Sequence, residues 1–106
     1  MYQLDRDKVI IGESNKIQII NINKCIVETE VKDLQLGIVT CFLKLRDNRT
    51  LIFGNSCGHL YKFDLNTKEY SLLNHYHKRE ILCLLKIDDE TFLSSSFDCT
   101  IKVWKY

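Results

Sequence analysis

One pattern recurs along this 106-residue chain and restricts the fold more than any single motif: strand, short polar break, strand, at a nearly constant spacing. Residues 9–13 and 17–20 read as a hairpin across Ser14, Asn15 and Lys16. Residues 51–54 and 60–63 repeat it across Asn55, Ser56, Cys57 and Gly58, and residues 91–95 and 100–104 run it once more. Ile20, Phe63 and Trp104 close the second strand of each hairpin, at separations of 43 and 41 residues. Cys41 and Cys83 mark one place in the apolar strands that precede two of the hairpins, 42 residues apart. Loops and further strands follow at residues 25–31 and 69–73. Helical periodicity is poor, and Thr, Val, Ile, Tyr and Phe dominate the apolar segments, as strands require.

A unit of roughly 40 to 45 residues with four strands is the signature of a propeller blade. The expected fold is therefore all-β: consecutive four-stranded antiparallel blades in an incomplete ring. Residues 1–31 are expected to form a partial first blade, 32–74 a complete middle blade, and 75–106 a last blade lacking its outer strand. In the strand over residues 81–87, Ile81, Cys83, Leu85 and Ile87 alternate with Leu82 and Leu84. A strand apolar on both sides is expected to be buried on both sides. The strand over residues 25–31 is interrupted by Glu28 and Glu30, which suits an edge in water. About two and two-thirds blades fall short of the roughly four to eight that close a ring. Each blade needs a neighbour to cover it, so the chain reads as the C-terminal part of a larger propeller, or as a unit that assembles with other blades.

The last hairpin carries a fuller motif. His77 precedes an apolar strand, Ser94 lies four residues before Asp98, and Trp104 lies six after it. This spacing resembles a repeat of the WD-repeat β-propeller family, with Tyr76 where that family usually has Gly and Lys105 where it usually has Asp. The resemblance implies that His77, Ser94, Asp98 and Trp104 form a buried structural hydrogen-bond network. The residue types allow it, since Asp98 can accept from the imidazole, Ser94 can bridge, and the indole N–H can only donate. Ser, His and Asp together also suggest a hydrolase triad. The Trp partner and the absence of a nucleophile-elbow sequence favour a blade clamp instead. The middle unit has Gln35, Phe53, Cys57 and Phe63 at the corresponding positions and is expected to be held by apolar packing. It keeps the Asp of the closing pair as Asp64, where the first unit has Ile20 and Asn21.

Composition narrows the functional classes. A hydrophobic content of 45% and a charged content of 27% are ordinary for a globular protein. The net charge of +1 gives no electrostatic case for nucleic acid or an anionic membrane. No apolar run approaches the roughly 18 residues that span a bilayer, and the N-terminal residues lack the apolar stretch of a signal peptide. An intracellular setting is expected. The five cysteines are odd in number and form no Cys-x-x-Cys pair. With no export signal, they are expected to be reduced, Cys41 and Cys83 packing as small hydrophobes. Zinc would need clustered ligands, and the close pair His75 and His77 has no Cys nearby. No metal or cofactor is expected.

Propellers of the resembled family mostly bind proteins through loops at one end of the central channel. Gly37, Ser56, Arg79 and Phe97 fall on that candidate partner-binding face. Phe97 either anchors a partner, as aromatic residues often do, or packs on a neighbouring loop. The run from His75 to Arg79 is locally basic and aromatic, suited to an acidic peptide or an RNA backbone, although one short run is more often a solvated loop. The expected function is a non-enzymatic protein–protein interaction scaffold, with other proteins or further blades as partners. The alternative is an RNA-associated propeller subunit, in which aromatic residues stack bases.

Overall fold

The computed structural model describes residues 1–32, 37–46, 49–74 and 77–105. Eleven strands form three antiparallel sheets, and no helix occurs among the described residues. The first sheet contains β1 (Tyr2–Gln3), β2 (Lys8–Glu13), β3 (Lys16–Asn21) and β4 (Ile26–Lys32) in that order. The second contains β5 (Val39–Lys44), β6 (Thr50–Asn55), β7 (Leu60–Asp64) and β8 (Tyr70–Asn74). The third contains β9 (Ile81–Lys86), β10 (Thr91–Ser96) and β11 (Ile101–Lys105). The all-β expectation agrees with this arrangement.

The three hairpins share one register. Val9 pairs with Ile20, Leu51 with Phe63, and Phe92 with Trp104. Their turns each place a residue in the left-handed region: Asn15 (φ 61°), Gly58 (φ 87°) and Cys99 (φ 67°). The loops after β3 and β7 match as well. Asn21 Oδ1 accepts from the backbone N–H groups of Asn23 (3.1 Å) and Lys24 (3.0 Å), as Asp64 Oδ1 does from Asn66 (2.8 Å) and Thr67 (3.1 Å). Short polar side chains that bond the backbone two and three residues ahead turn the chain in both places. Asp64 is held below the ordinary carboxylate range, chiefly by the Thr67 N–H.

The sheets stack face to face with two core layers between them. Ile10, Ile17 and Ile19 of the first sheet meet Val39, Phe42, Leu51, Phe53 and Phe63 of the second. On its other face the second sheet places Leu43, Ile52 and Leu60 against Ile81, Leu84 and Phe92 of the third. The stack is open, since neither layer joins the third sheet to the first among the described residues.

Both joints depend on glycine at the same register. A Cβ on Gly12 would lie 2.6 Å from Val39 Cβ, and one on Gly54 would lie 2.9 Å from Ile81 Cγ2. A bulge follows at each of those inner-strand starts, beside Thr40 in β5 and Leu82 in β9. At the first of these, Thr40 Oγ1 donates to Ile81 O of the next sheet at 2.5 Å. The bulge corrects one sequence expectation. It breaks strict alternation in β9, so Ile81 and Leu84 turn inward together. Cys83 and Leu85 face away from the second sheet, where no sheet among the described residues covers them, and are exposed with Leu82 and Ile87. The strand is buried on one side, not two. Cys83 is accordingly an exposed thiol, whereas burial pushes the half-buried Cys41 thiol up.

Replacing Gly54 by alanine forces the new methyl into Ile81. Urea unfolding is expected to show a loss of about 1–3 kcal/mol. The same change at exposed Ser71, which meets no core layer, is expected to stay within about 0.5 kcal/mol.

Candidate functional site

The third sheet buries polar groups where the second buries rings. By register, Ser94 stands at the position of Phe53, and Trp104 at that of Phe63. In the second sheet Phe53 stacks on Tyr61 (centroids 5.0 Å apart, 13° between planes) and lies 6.1 Å from Phe42. In the third sheet Ser94 has no exposed surface and His77 only 2%. The space is filled by a chain of hydrogen bonds.

Trp104 Nε1–H donates to Ser94 Oγ at 2.7 Å, and Ser94 Oγ lies 2.6 Å from His77 Nε2. The indole can only donate and the Asp98 carboxylate can only accept, so the neutral imidazole donates from Nδ1 and the serine hydroxyl, accepting from the indole, donates to Nε2. Nδ1 faces Asp98 Oδ2 and Thr100 Oγ1, each at 3.1 Å. Asp98 also accepts from the Lys78 N–H (3.0 Å), the Thr100 N–H (2.9 Å) and the Thr100 hydroxyl. The Thr100 hydroxyl first, then the Lys78 N–H and His77, hold the Asp98 carboxyl well below the ordinary aspartate value of 3.8, against partial burial that works the other way. Phe92 stacks on the indole with centroids 6.2 Å apart. The four residues singled out from the sequence thus meet in one network.

Two members were not anticipated. Thr100 follows Asp98 at the two-residue spacing of an Asx turn, a signal present in the sequence. Ser96 donates to Arg79 O (3.0 Å) and accepts from the Asp98 N–H (3.2 Å). Asn55 occupies the matching place in the second sheet, where its Oδ1 accepts from the N–H groups of Cys57 (3.0 Å) and His59 (2.9 Å). The second hairpin is therefore held by a buried polar side chain as well as by its rings, which corrects the expectation of apolar packing alone. Gln35, the counterpart of His77, and His75 and Tyr76 lie outside the described residues.

The serine, imidazole and carboxylate follow the order of a hydrolase triad, but Ser94 Oγ is sealed from solvent and capped by the indole. No substrate carbonyl can reach it in this conformation. A cleft of about 430 Å³ lies elsewhere, between the first two sheets, lined in part by Lys8, Glu28, Lys44 and Lys68. Its cations are engaged: Lys8 pairs with Glu28 at 3.3 Å, Lys44 Nζ donates to Leu4 O at 2.6 Å, and Lys68 donates to Leu65 O. Among the described residues no cluster of His, Cys, Asp or Glu could hold a metal ion, and no helix is long and apolar enough to cross a membrane.

Gly37, Ser56, Arg79 and Phe97 gather at one end of the second and third sheets. The N–H of Gly37 (φ 67°) donates to Asn15 Oδ1 at 2.7 Å, and Gly37 lies beside Ser56. The Ser56 N–H donates to Ile38 O at 2.8 Å, just as the Phe97 N–H donates to Glu80 O at 3.0 Å. The Arg79 guanidinium sits over the Phe97 ring, 5.8 Å from its centroid, and the ring remains 53% exposed. Gly58 joins the two loops, because a Cβ there would lie 2.1 Å from His77 O.

Ser94→Ala removes the hydroxyl that meets buried His77 Nε2 and half-buried Trp104 Nε1, and is expected to cost about 1–3 kcal/mol in chemical unfolding. Asp98→Asn is expected to lower the melting temperature at neutral pH and to flatten its fall in acid. The folded carboxyl titrates below its unfolded value, so its contribution is complete above 3.8 and is lost as pH falls below that. Melting curves between neutral pH and about pH 2 check both points.

No protein-family model matches this chain, and no curated protein matches it. The fold is widespread among solved structures, with 401 matching chains, so it singles out no function. One of them is the crystal structure of the computationally designed Ika4 protein, with a TM-score of 0.73 at 21% sequence identity. The match covers 97% of this chain and 62% of that one, so this chain spans less than two thirds of that protein's length. The likeness is one of fold alone.

Proposed function

We propose that the three sheets are consecutive blades of a WD-repeat β-propeller, acting as a non-enzymatic scaffold that presents loops to partner proteins. The observation that carries this reading is the hydrogen-bond chain from Trp104 through Ser94 and His77 to Asp98, at the positions where the resemblance places a blade clamp. The shared hairpin register adds to it. Such a clamp ties the loop before β9 to the β10–β11 turn, holding Arg79 and Phe97 in fixed relation at the blade end. Rigid display lowers the entropy cost of binding. Phe97, with the Arg79 guanidinium over its ring, offers aromatic and cationic contacts of the kind that anchor protein interfaces.

Quantitative affinity capture with the purified chain as bait tests the reading. Wild type is expected to retain a nuclease-resistant protein partner, and Phe97→Ala with Arg79→Ala to reduce its recovery by at least about tenfold. Lys68→Ala, on the loop after β7, serves as the unaffected control. Recovery that vanishes on nuclease treatment, or that ignores the Phe97 and Arg79 changes, would overturn the proposal.

A further inference from the structure

The two ends of the stack carry the two halves of a joint that the chain has already built twice. At the first joint Gly12 admits Val39, and Ile10 and Ile17 are buried by the second sheet. At the second, Gly54 admits Ile81, and Ile52 and Leu60 are buried by the third sheet at the same register. The next set of equivalent positions lies on the outer face of the third sheet, and it is apolar and open. Leu93 matches Ile52, Leu85 matches Leu43, and Ile101 matches Leu60. Ile101 is 71% exposed and Leu85 56%, against 1% for Leu60 and 6% for Leu43. Val103, 64% exposed, is apolar where the second sheet has solvated Lys62. Leu82, the bulge residue matching Thr40, is exposed on this sheet too.

The complementary half lies at the other end. The second sheet sits on the first through Leu51, Phe53 and Phe63. The first sheet has Val9, Ile11 and Ile20 at those register positions, half-buried and outside either core cluster. Val27 extends this face from the neighbouring strand, opposite Ile20, and is 49% exposed.

We infer that a second copy of this chain covers the third sheet, seating the outer face of its first sheet there, and that two copies close head to tail. The joint is heterologous, donor face on acceptor face, and such contacts form rings when the rotation closes. Two copies supply six sheets, within the range of about four to eight that closed rings use. Ser95 stands where Gly12 and Gly54 admit Val39 and Ile81, and β1, which pairs with β2 only at Tyr2–Ile10 and Gln3–Val9, brings no residue to that place. The contact between copies is therefore looser than the two inside the chain and dissociates on dilution. This inference rests on the blade reading above.

Sedimentation velocity over about 1–100 µM, with circular dichroism on the same samples, tests it. Wild type is expected to form a reversible two-copy species. Ile101→Glu, on the acceptor face, and Ile20→Glu, on the donor face, should each weaken it by at least about tenfold. The rim change Val27→Glu, on the donor face, should act in the same direction and leaves half-buried Ile20 in place. An equimolar mixture of Ile101→Glu with Val27→Glu should form an open pair through the one joint whose two faces are both intact, more tightly than either variant alone and less tightly than wild type. A folded single copy at every concentration, an open polymer, or a pair indifferent to Ile20→Glu and Val27→Glu would overturn the inference. A folded single copy leaves the blade reading standing; that reading fails separately, if Ser94→Ala melts like wild type.

Discussion

Leu51, Ile52 and Phe53 are successive residues of β6, and none has exposed surface. Successive side chains of a strand point to opposite faces, so such a run is stable only where a layer covers the sheet on each side. The second sheet is that central layer, and the other two are placed by its two faces. Their distance from it is set by Gly12 and Gly54, where backbone stands in for a side chain and the next inner strand moves in against it. Bringing rings such as Phe53 and Phe63 out of water at this spacing contributes about 1.5–3 kcal/mol for each side chain.

The same register position is filled in two physically different ways. The second sheet places Phe53 there, within a group of Phe42, Tyr61 and Tyr70 whose packing tolerates small shifts. The third sheet places Ser94 there, within a network in which each donor has a directed acceptor. Buried polar groups are costly unless satisfied, so a network of this kind permits few alternative geometries. In exchange for modest net stability it fixes where the loop before β9 stands relative to the β10–β11 turn. The turns beneath both arrangements use the same device, a buried Asn55 or Ser96 bonded to the backbone just ahead.

Much of this was legible in the chain itself. The strands follow from apolar β-branched runs, and the turns from Asn, Asp and Ser at the Asx-type positions and Asn15 and Gly58 at left-handed ones, whereas left-handed Cys25, Lys68 and Cys99 carry no such signal. The network members His77, Ser94, Asp98 and Trp104 were marked by the resemblance of their spacing to a known repeat, and the pairing of β10 with β11 brings Ser94 and Trp104 within reach of each other. Less legible were features that one extra residue controls. The alternation of residues 81–87 predicts two buried faces; the bulge at Leu82 puts Ile81 and Leu84 together on one of them, and no sheet among the described residues covers the other. Cys83 is exposed for that reason. Asn55 was overlooked because a buried amide in a turn looks, in sequence, like any solvated loop residue.

What the sequence determined by itself was local: the strands, the turn chemistry and the 42-residue spacing of Cys41 and Cys83. Each depends on contacts between residues close along the chain, so composition and spacing suffice to specify them. Only the tertiary structure decided which apolar faces are covered. Leu60 and Ile101 hold one register position and look equivalent in sequence, yet one is 1% exposed and the other 71%. Burial belongs to the neighbour as much as to the residue, and the second sheet has a neighbour on each side where the third has one.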